Sequence, residues 1–465
     1  MSAPESHIEG EAIDAALENL EASNAPPTGR IASLLTALAG GSMFRKGVLS
    51  LVDQGVVSAV NFLTMVLVGR SVGQHVAGSS AEHQVGLYQL GFSIIVLATT
   101  AQNALISSPY AVFGLQLSRR RRAEYAGSTL VHQWIFSAFV AVVLALVGVA
   151  AVFGLGPADL KSIAWILALV LPFVLLREFV RRISFAHLQV ATVLLLDIAV
   201  AVLQLGGLLA LKLTGHLTAV SAFQTLGLSC AIAGGAVRIA MRRSFLPRRA
   251  NVLTHLKMNW TFGRWACGAQ MVSMGMSYAL SWMLAFLVDT EATGRYAVCM
   301  SLVMIANPLL IGLNNFLSPQ SIHAFNAGGI AALNRLLART AVWVTAAVSI
   351  LCLLLIFAGG AMLQLIYGHN LSGYGGIVSL LALNMLMYGL SMSAENGLVA
   401  INWPAAIFWG NVVGLIVTLT AGVFFIGAYG LIGAAVASLI GTVTGTSLKG
   451  FFYLRKYRQI AAGSI

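Results

Sequence analysis

From Lys46 onward the chain is a succession of long apolar segments separated by short polar breaks. Twelve such segments stand out, at 47–69, 84–108, 131–154, 163–180, 187–211, 217–238, 265–288, 293–317, 340–366, 374–394, 403–426 and 430–453. Crossing the hydrocarbon core of a bilayer as a helix takes about 20 residues, and each segment is close to that length or beyond it. Helices are the expected form, because backbone polar groups find no water to bond in lipid. Composition points the same way. Of 465 residues, 58% are hydrophobic and only 9% charged, with a mean hydropathy of +0.87. A soluble domain is roughly one quarter charged, so too few charges remain here to cover a water-facing surface.

The basic residues then assign sides. With the N-terminus in the cytoplasm and the segments alternating, 23 of the 27 lysines and arginines fall on inner loops, span ends and tails. Arg119 to Arg122, Arg177, Arg181, Arg182, the stretch from Arg238 to Arg264, and Lys449 to Arg458 are among them. Only Arg70, Lys161, Lys212 and Arg295 are left outside. The positive-inside rule asks for this asymmetry, and a wrong span count would scramble it. The formal charge of +12 therefore reports topology and contact with an anionic inner leaflet, and nucleic acid is excluded as a partner.

One segment is written twice. Residues 86–109, "GLYQLGFSIIVLATTAQNALISSP", and 294–319, "GRYAVCMSLVMIANPLLIGLNNFLSP", both open on Gly-x-Tyr and close on Ser-Pro. They lie on the second and eighth spans. An even number of spans per half gives both copies the same orientation, so the halves read as parallel repeats of the kind that suit alternating access. The fold class expected is all-α integral membrane, with about twelve transmembrane helices in two six-helix bundles around a central cavity and both chain ends inside. The boundaries are 1–45 for an acidic, largely disordered cytoplasmic tail, 46–240 and 264–455 for the bundles, 241–263 for a basic linker and 456–465 for a cytoplasmic tail.

The tail carries six of the fifteen acids within its first 21 positions and lacks the basic start and apolar core of a signal peptide. Cys230, Cys267, Cys299 and Cys352 lie in apolar runs without metal-ligand spacing. No metal or other cofactor is expected.

Few polar residues lie inside the spans. A carboxylate at the bilayer centre costs about 2.5–3.5 kcal/mol on insertion scales and usually faces a cavity or a partner. Asp53 and Gln54 sit about 10 Å into the first span at 1.5 Å per residue, and Gln54, Ser58 and Asn61 share a face at i, i+4, i+7. Asn103 follows Thr99 at i+4 in the second span, and Asn307 and Asn314 are seven apart in the eighth. Asp197 falls near the middle of the fifth, with Gln204 on the same face. Glu395 and Asn396 close the tenth; Asn402 and Asn411 flank the start of the eleventh. Amides and hydroxyls of this kind join helices by hydrogen bonds at about 0.6 kcal/mol each. For Asp53 and Asp197 a wet cavity is favoured, and with Glu395 they are the candidates for ion coupling. The stretch "LREFVRRISFAH" (176–187) places Arg177 and Arg181 on one face. An arginine fork clamps phosphate, so these two are candidates for a lipid diphosphate headgroup, against the plainer reading of a topology anchor. The chain carries no nucleotide-binding loop, no metal-spaced histidine pair and no loop large enough for an active site, so no enzyme is expected.

The stretches "LVDQGVVSAVNFLTMVLVGR" (51–70), "GLYQLGFSIIV" (86–96), "LREFVRRISFAH" and "WTFGRW" (260–265) together resemble bacterial polysaccharide flippases of the multidrug/oligosaccharidyl-lipid/polysaccharide exporter superfamily, over nearly all of the chain after residue 45. That resemblance implies two bundles facing a cavity in the bacterial inner membrane. It implies movement of an undecaprenyl-diphosphate-linked oligosaccharide from inner to outer leaflet, driven by an ion gradient. Asp53, Gln54, Asn61, Arg70, Gly86, Tyr88, Arg177, Arg181, Arg182 and Trp265 match its look. The partners expected on this reading are the lipid-linked oligosaccharide and membrane lipids, with a polysaccharide polymerase and glycosyltransferases alongside. The alternative is a cation-coupled multidrug antiporter of the same superfamily, with the acids binding ion and drug. A third reading is a scaffold that docks synthesis enzymes through the acidic tail.

Overall fold

The computed structural model describes residues 42–71, 80–154, 160–246 and 249–462. The acidic tail expected at 1–45 lies almost wholly outside them. Every long element is a helix. The first half holds α1 (Ser42–Ser71), α2 (81–113), α3 (Arg119–Val152), α4 (Leu160–Ala186), α5 (Val190–Leu213) and α6 (Ala219–Ala240). The second holds α7 (Arg249–Leu287), α8 (290–327), α9 (330–367), α10 (Gly375–Ala400), α11 (404–429) and α12 (431–461). The breaks between α8 and α9 and between α11 and α12 fall on Gly329 (φ 63°) and Gly430 (φ 55°), a backbone region that a Cβ disfavours.

Nine continuous helical runs among the described residues are long and apolar enough to cross a membrane. Two of these, Thr290–Tyr367 and Pro404–Ala461, are pairs of helices joined at those glycine breaks. The helix α7 is not among the nine, because Gln270, Ser273, Ser277 and Ser281 dilute its apolar run. It starts at Arg249, inside the segment expected as a linker, whose other regular element is the short turn Arg242–Ser244. The architecture is the expected all-α one, in two helical halves.

The repeated Gly-x-Tyr now has a physical reason. The helices α2 and α8 cross at Gly86 and Gly294 with their backbones touching. A Cβ on Gly86 would lie 2.0 Å from the Thr290 carbonyl oxygen, and one on Gly294 would lie 1.7 Å from that of Glu82. The contact is reciprocal, as two copies of one segment facing each other across an axis must be. Small residues permit such close approach between membrane helices. Both helices also leave regular α geometry further in, α2 in a wide turn at Asn103–Ser107 and α8 in a tight one at Met304–Ala306.

Sides named by the arginine and lysine distribution give this packing a direction. One apolar cluster takes in both halves, with Val68, Val85, Tyr88 and Phe223 from the first and Tyr296, Leu363 and Tyr367 from the second. The inner ends instead carry two separate clusters. One is built on Tyr110, Tyr125, Phe179 and Phe245, the other on Leu317, Leu337, Leu398 and Tyr453. The halves thus pack into one body outside and keep separate apolar cores inside. The start of α7 is the exception. Its Asn259 accepts from the Tyr125 hydroxyl at 2.5 Å and its His255 pairs with Ser128 at 2.9 Å, which fastens it to α3 of the first half.

Candidate functional site

Three helices of the first half bring a charged node together near their inner ends. Arg181 of α4 is its centre. Its Nη2 donates to Asp53 Oδ2 of α1 at 2.7 Å, and its Nε donates to Asp197 Oδ2 of α5 at 2.7 Å. Arg177, one turn earlier, donates through Nη2 to Asp197 Oδ1 and through Nη1 to Glu178 Oε2 at 3.2 Å. Glu178 also accepts from Arg182 Nε at 2.7 Å. Three arginines therefore face three carboxylates. Asp53 and Asp197 are almost fully buried, and Glu178 and Arg181 are also buried. The guanidinium of Arg181 further lies 5.0 Å from the centre of the Phe185 ring.

This geometry follows from helix spacing. Arg177 and Arg181 are i, i+4 neighbours and face one way, towards the crevice where α1 and α5 pack. The planar fork of Arg181 then reaches two acids on two other helices at once. Removing water from these groups is costly, and the mutual pairing offsets that cost. Two polar atoms are left over. Asp53 Oδ1 and Arg177 Nε are buried without a hydrogen-bond partner.

The second half has a node at the matching place. Arg181 stands five residues before the end of α4, and Glu395 five before the end of α10. Asp197 is the eighth residue of α5, and Asn411 the eighth of α11. The chemistry differs. Lys449 of α12 supplies the cation, donating to Glu395 Oε1 at 2.6 Å and to Asn411 Oδ1 at 3.0 Å. Ser391 donates to the same Glu395 oxygen at 3.0 Å. Lys449 is buried, and its stem fits because residue 410 is glycine; a Cβ there would come within 2.5 Å of Lys449 Cγ.

The candidates from sequence sort as follows. Asp53, Arg177, Arg181 and Asp197 meet in one node, and Glu395 anchors the other. Gln54 is half-buried beside the first node, and Asn61 is exposed on α1. Asn103 begins the wide turn of α2. Asn314 is exposed on α8 and accepts from Asn396 Nδ2 at 2.8 Å. Asp197 is the eighth of the 24 residues of α5, a little to the inner side of its middle. Arg177, Arg181 and Lys449, counted above with the inner basic residues, are paired inside helices and do not act as solvated anchors. In this structure the donors of Arg177 and Arg181 are turned to carboxylates of their own half.

Lys449, Asn411 and Glu178 were not singled out as site residues. The signal was present for Lys449, which lies inside the twelfth apolar segment with an acid and an amide in the two preceding ones. Amides also tie the helices elsewhere. Gln102 donates to Gln133 Oε1 and the Leu175 carbonyl, both at 2.8 Å, and Gln204 donates to Thr64 at 3.1 Å.

The chain matches no protein-family model and no curated protein. It does share its fold with solved transporters. The inward-facing conformation of a multidrug resistance MATE family transporter of the MOP superfamily is similar at a TM-score of 0.73 and 12% identity, over 87% of this chain and 96% of that one. The outward-facing conformation of a transporter of the same description gives 0.64 and 12%, over 91% and 98%. A MOP superfamily transporter from Pyrococcus furiosus also gives 0.64 and 12%, over 91% and 98%. Its binding pocket is described as having reversed polarity that suggests a different function.

Proposed function

We propose that this chain is a multi-pass membrane transporter that works by alternating access, seen with its outer side closed. The observation that carries the proposal is the packing. Two similarly oriented helical halves share one apolar cluster, keep separate clusters at their inner ends, and each hold a buried charged node near the inner side. The likeness to solved transporters, at 12% identity, bears on the fold and supports this use of it.

Two cargoes fit such a machine. The structural likeness favours a cation-coupled antiporter of small amphipathic compounds, because similar chains are described as multidrug transporters. Asp53, Asp197 and Glu395 are then the coupling residues. The second reading is a flippase for undecaprenyl-diphosphate-linked oligosaccharide in a bacterial inner membrane. One observation keeps it. Arg177, Arg181 and Arg182 gather at the inner end of α4, and the Arg182 side chain is 43% exposed there. A diphosphate entering this node would compete with Asp53 and Asp197 for the same guanidinium donors.

Cells carrying the chain decide between them. Export of a cationic dye that is lost in Asp53→Asn, with surface glycan unchanged, supports the antiporter. Glycan display that is lost in Arg182→Ala, with no dye export by the parent chain, supports the flippase. If deletion of the chain alters neither, the transport reading fails.

A further inference from the structure

The outer ends of the two halves are held by polar contacts to which the transport reading assigns no role. The helix α1 ends at Ser71, and its penultimate residue, Arg70, reaches across to the second half. Its Nε donates to the Ile366 carbonyl and its Nη2 to the Leu365 carbonyl. Those two oxygens belong to the last turn of α9, which ends at Tyr367. The final carbonyls of a helix have no partner within it, and they carry the negative end of its dipole. A guanidinium, with parallel donors and a permanent charge, suits two adjacent carbonyls of this kind.

The surroundings make the contact specific. Gly69 brings α1 against the Tyr367 ring; a Cβ there would meet Tyr367 Cδ1 at 2.8 Å. Tyr367 is itself fixed by a 2.8 Å hydrogen bond to Ser301 of α8. Beside it, Ser80 at the start of α2 donates to Glu291 of α8 at 2.6 Å, and Arg295 holds the other oxygen of Glu291 at 3.0 Å. The Gly86–Gly294 crossing lies in the same layer, and as a close approach of two backbones it can serve as a fulcrum. Arg70 is also one of only four basic residues assigned to the outer side, where topology does not call for them.

We propose that Arg70 is the clasp of the outer side: it caps α9 in the outward-closed state and releases those carbonyls when the outer side opens. This inference rests on the alternating-access reading and adds a residue-level device to it. Because Arg70 is exposed, its replacement strands no buried charge, so the variant is expected to fold.

The test uses the full chain with its four cysteines replaced by serine, in lipid nanodiscs, with spin labels at Leu213→Cys and Tyr429→Cys. Those positions are exposed near the outer ends of α5 and α11, one in each half. Pulsed electron paramagnetic resonance reads the distance between them. With Arg70 present a single shorter distance is expected. Arg70→Ala is expected to raise the ratio of a longer to the shorter population by roughly tenfold, the scale of losing charge-assisted hydrogen bonds. Arg70→Lys should fall between, since lysine keeps the charge without the fork. A distribution for Arg70→Ala that superimposes on that of the parent overturns the proposal. Gly294→Val separates this from the broader reading, since its side chain must part α2 from α8. If Gly294→Val lengthens the distance and Arg70→Ala does not, the clasp falls and alternating access stands. If neither variant nor an imposed ion gradient changes the distance, both fall.

Discussion

The two charged nodes occupy matching positions in the repeat, yet they are built with opposite economy. In the first half an arginine on the fourth helix is bracketed by two aspartates, and all three of these charges are buried and paired inside the bundle. In the second half the corresponding residue is Glu395, the partner on the next helix has become the neutral Asn411, and the countercharge comes from Lys449. Glu395 uses one oxygen for both Lys449 and Ser391 and keeps its side chain 28% exposed. The first node is a closed strut between three helices. The second is a looser one whose carboxylate still meets its surroundings. A duplicated scaffold has thus preserved where polarity is placed while letting its sign change, which is economical because helix geometry fixes the position and only local pairing must balance.

That contrast can be broken in measurable ways. The largest effect is expected from Arg181→Ala, which leaves Asp53 and Asp197 buried without their shared partner. Breaking a buried pair from one side costs about 3–5 kcal/mol, so the yield of folded protein and its melting temperature in detergent should drop sharply. Lys449→Ala removes one partner from a carboxylate that solvent can reach, and a smaller loss of about 1–3 kcal/mol is expected. Equal losses for the two variants would erase the distinction between strut and open node. Next, Asn411→Ala withdraws a neutral acceptor from Lys449 and should cost about 1 kcal/mol, whereas Asp197→Ala should cost clearly more; comparing the two melts tests the claimed asymmetry at equivalent positions.

A further difference lies at the start of α7, which is fastened to α3 of the first half. Burial holds the His255 imidazole below its ordinary value of 6.5, with Glu124 opposing weakly. A histidine with a depressed folded value stabilises the fold only while neutral. The α7–α3 attachment should therefore loosen as pH falls below about 6.5, read as faster hydrogen exchange at the start of α7, and His255→Gln should weaken that dependence, leaving the share of His132 of α3, which bonds Val252 and Asn259 of the same segment. The smallest effect is expected for Asn314→Ala, which loses one amide hydrogen bond in the second half, about 0.6 kcal/mol.

Much of the fold was legible, because hydropathy and the sidedness of arginine and lysine are properties of single segments. The helix α7 shows the limit. Its serines and Gln270 lower its hydropathy, yet its place in the count follows from alternation of sides. The node was legible only in part. Asp53, Asp197, Arg177 and Arg181 each stood out as costly groups in lipid, but their assembly into one cluster depends on how α1, α4 and α5 are rotated against each other, and no spacing within one helix reports that. Asn61 shows the same gap from the other side, since an i, i+7 relation to Gln54 fixes a face without saying what the face meets. Lys449 was hidden by a rule that works on average. A lysine near an inner helix end is normally an anchor, and only the pairing of α11 with α12 over Gly410 turns this one inward.

The most direct test of the account compares the two ends of the molecule at once. In proteoliposomes with an imposed proton or sodium gradient, the outer label pair at Leu213 and Tyr429 is followed together with an inner pair at Leu246→Cys and Leu454→Cys, which are exposed near the inner ends of the two halves. Alternating access predicts that the inner distance shortens as the outer one lengthens. Distances that stay fixed at both ends, or that lengthen together, would contradict it.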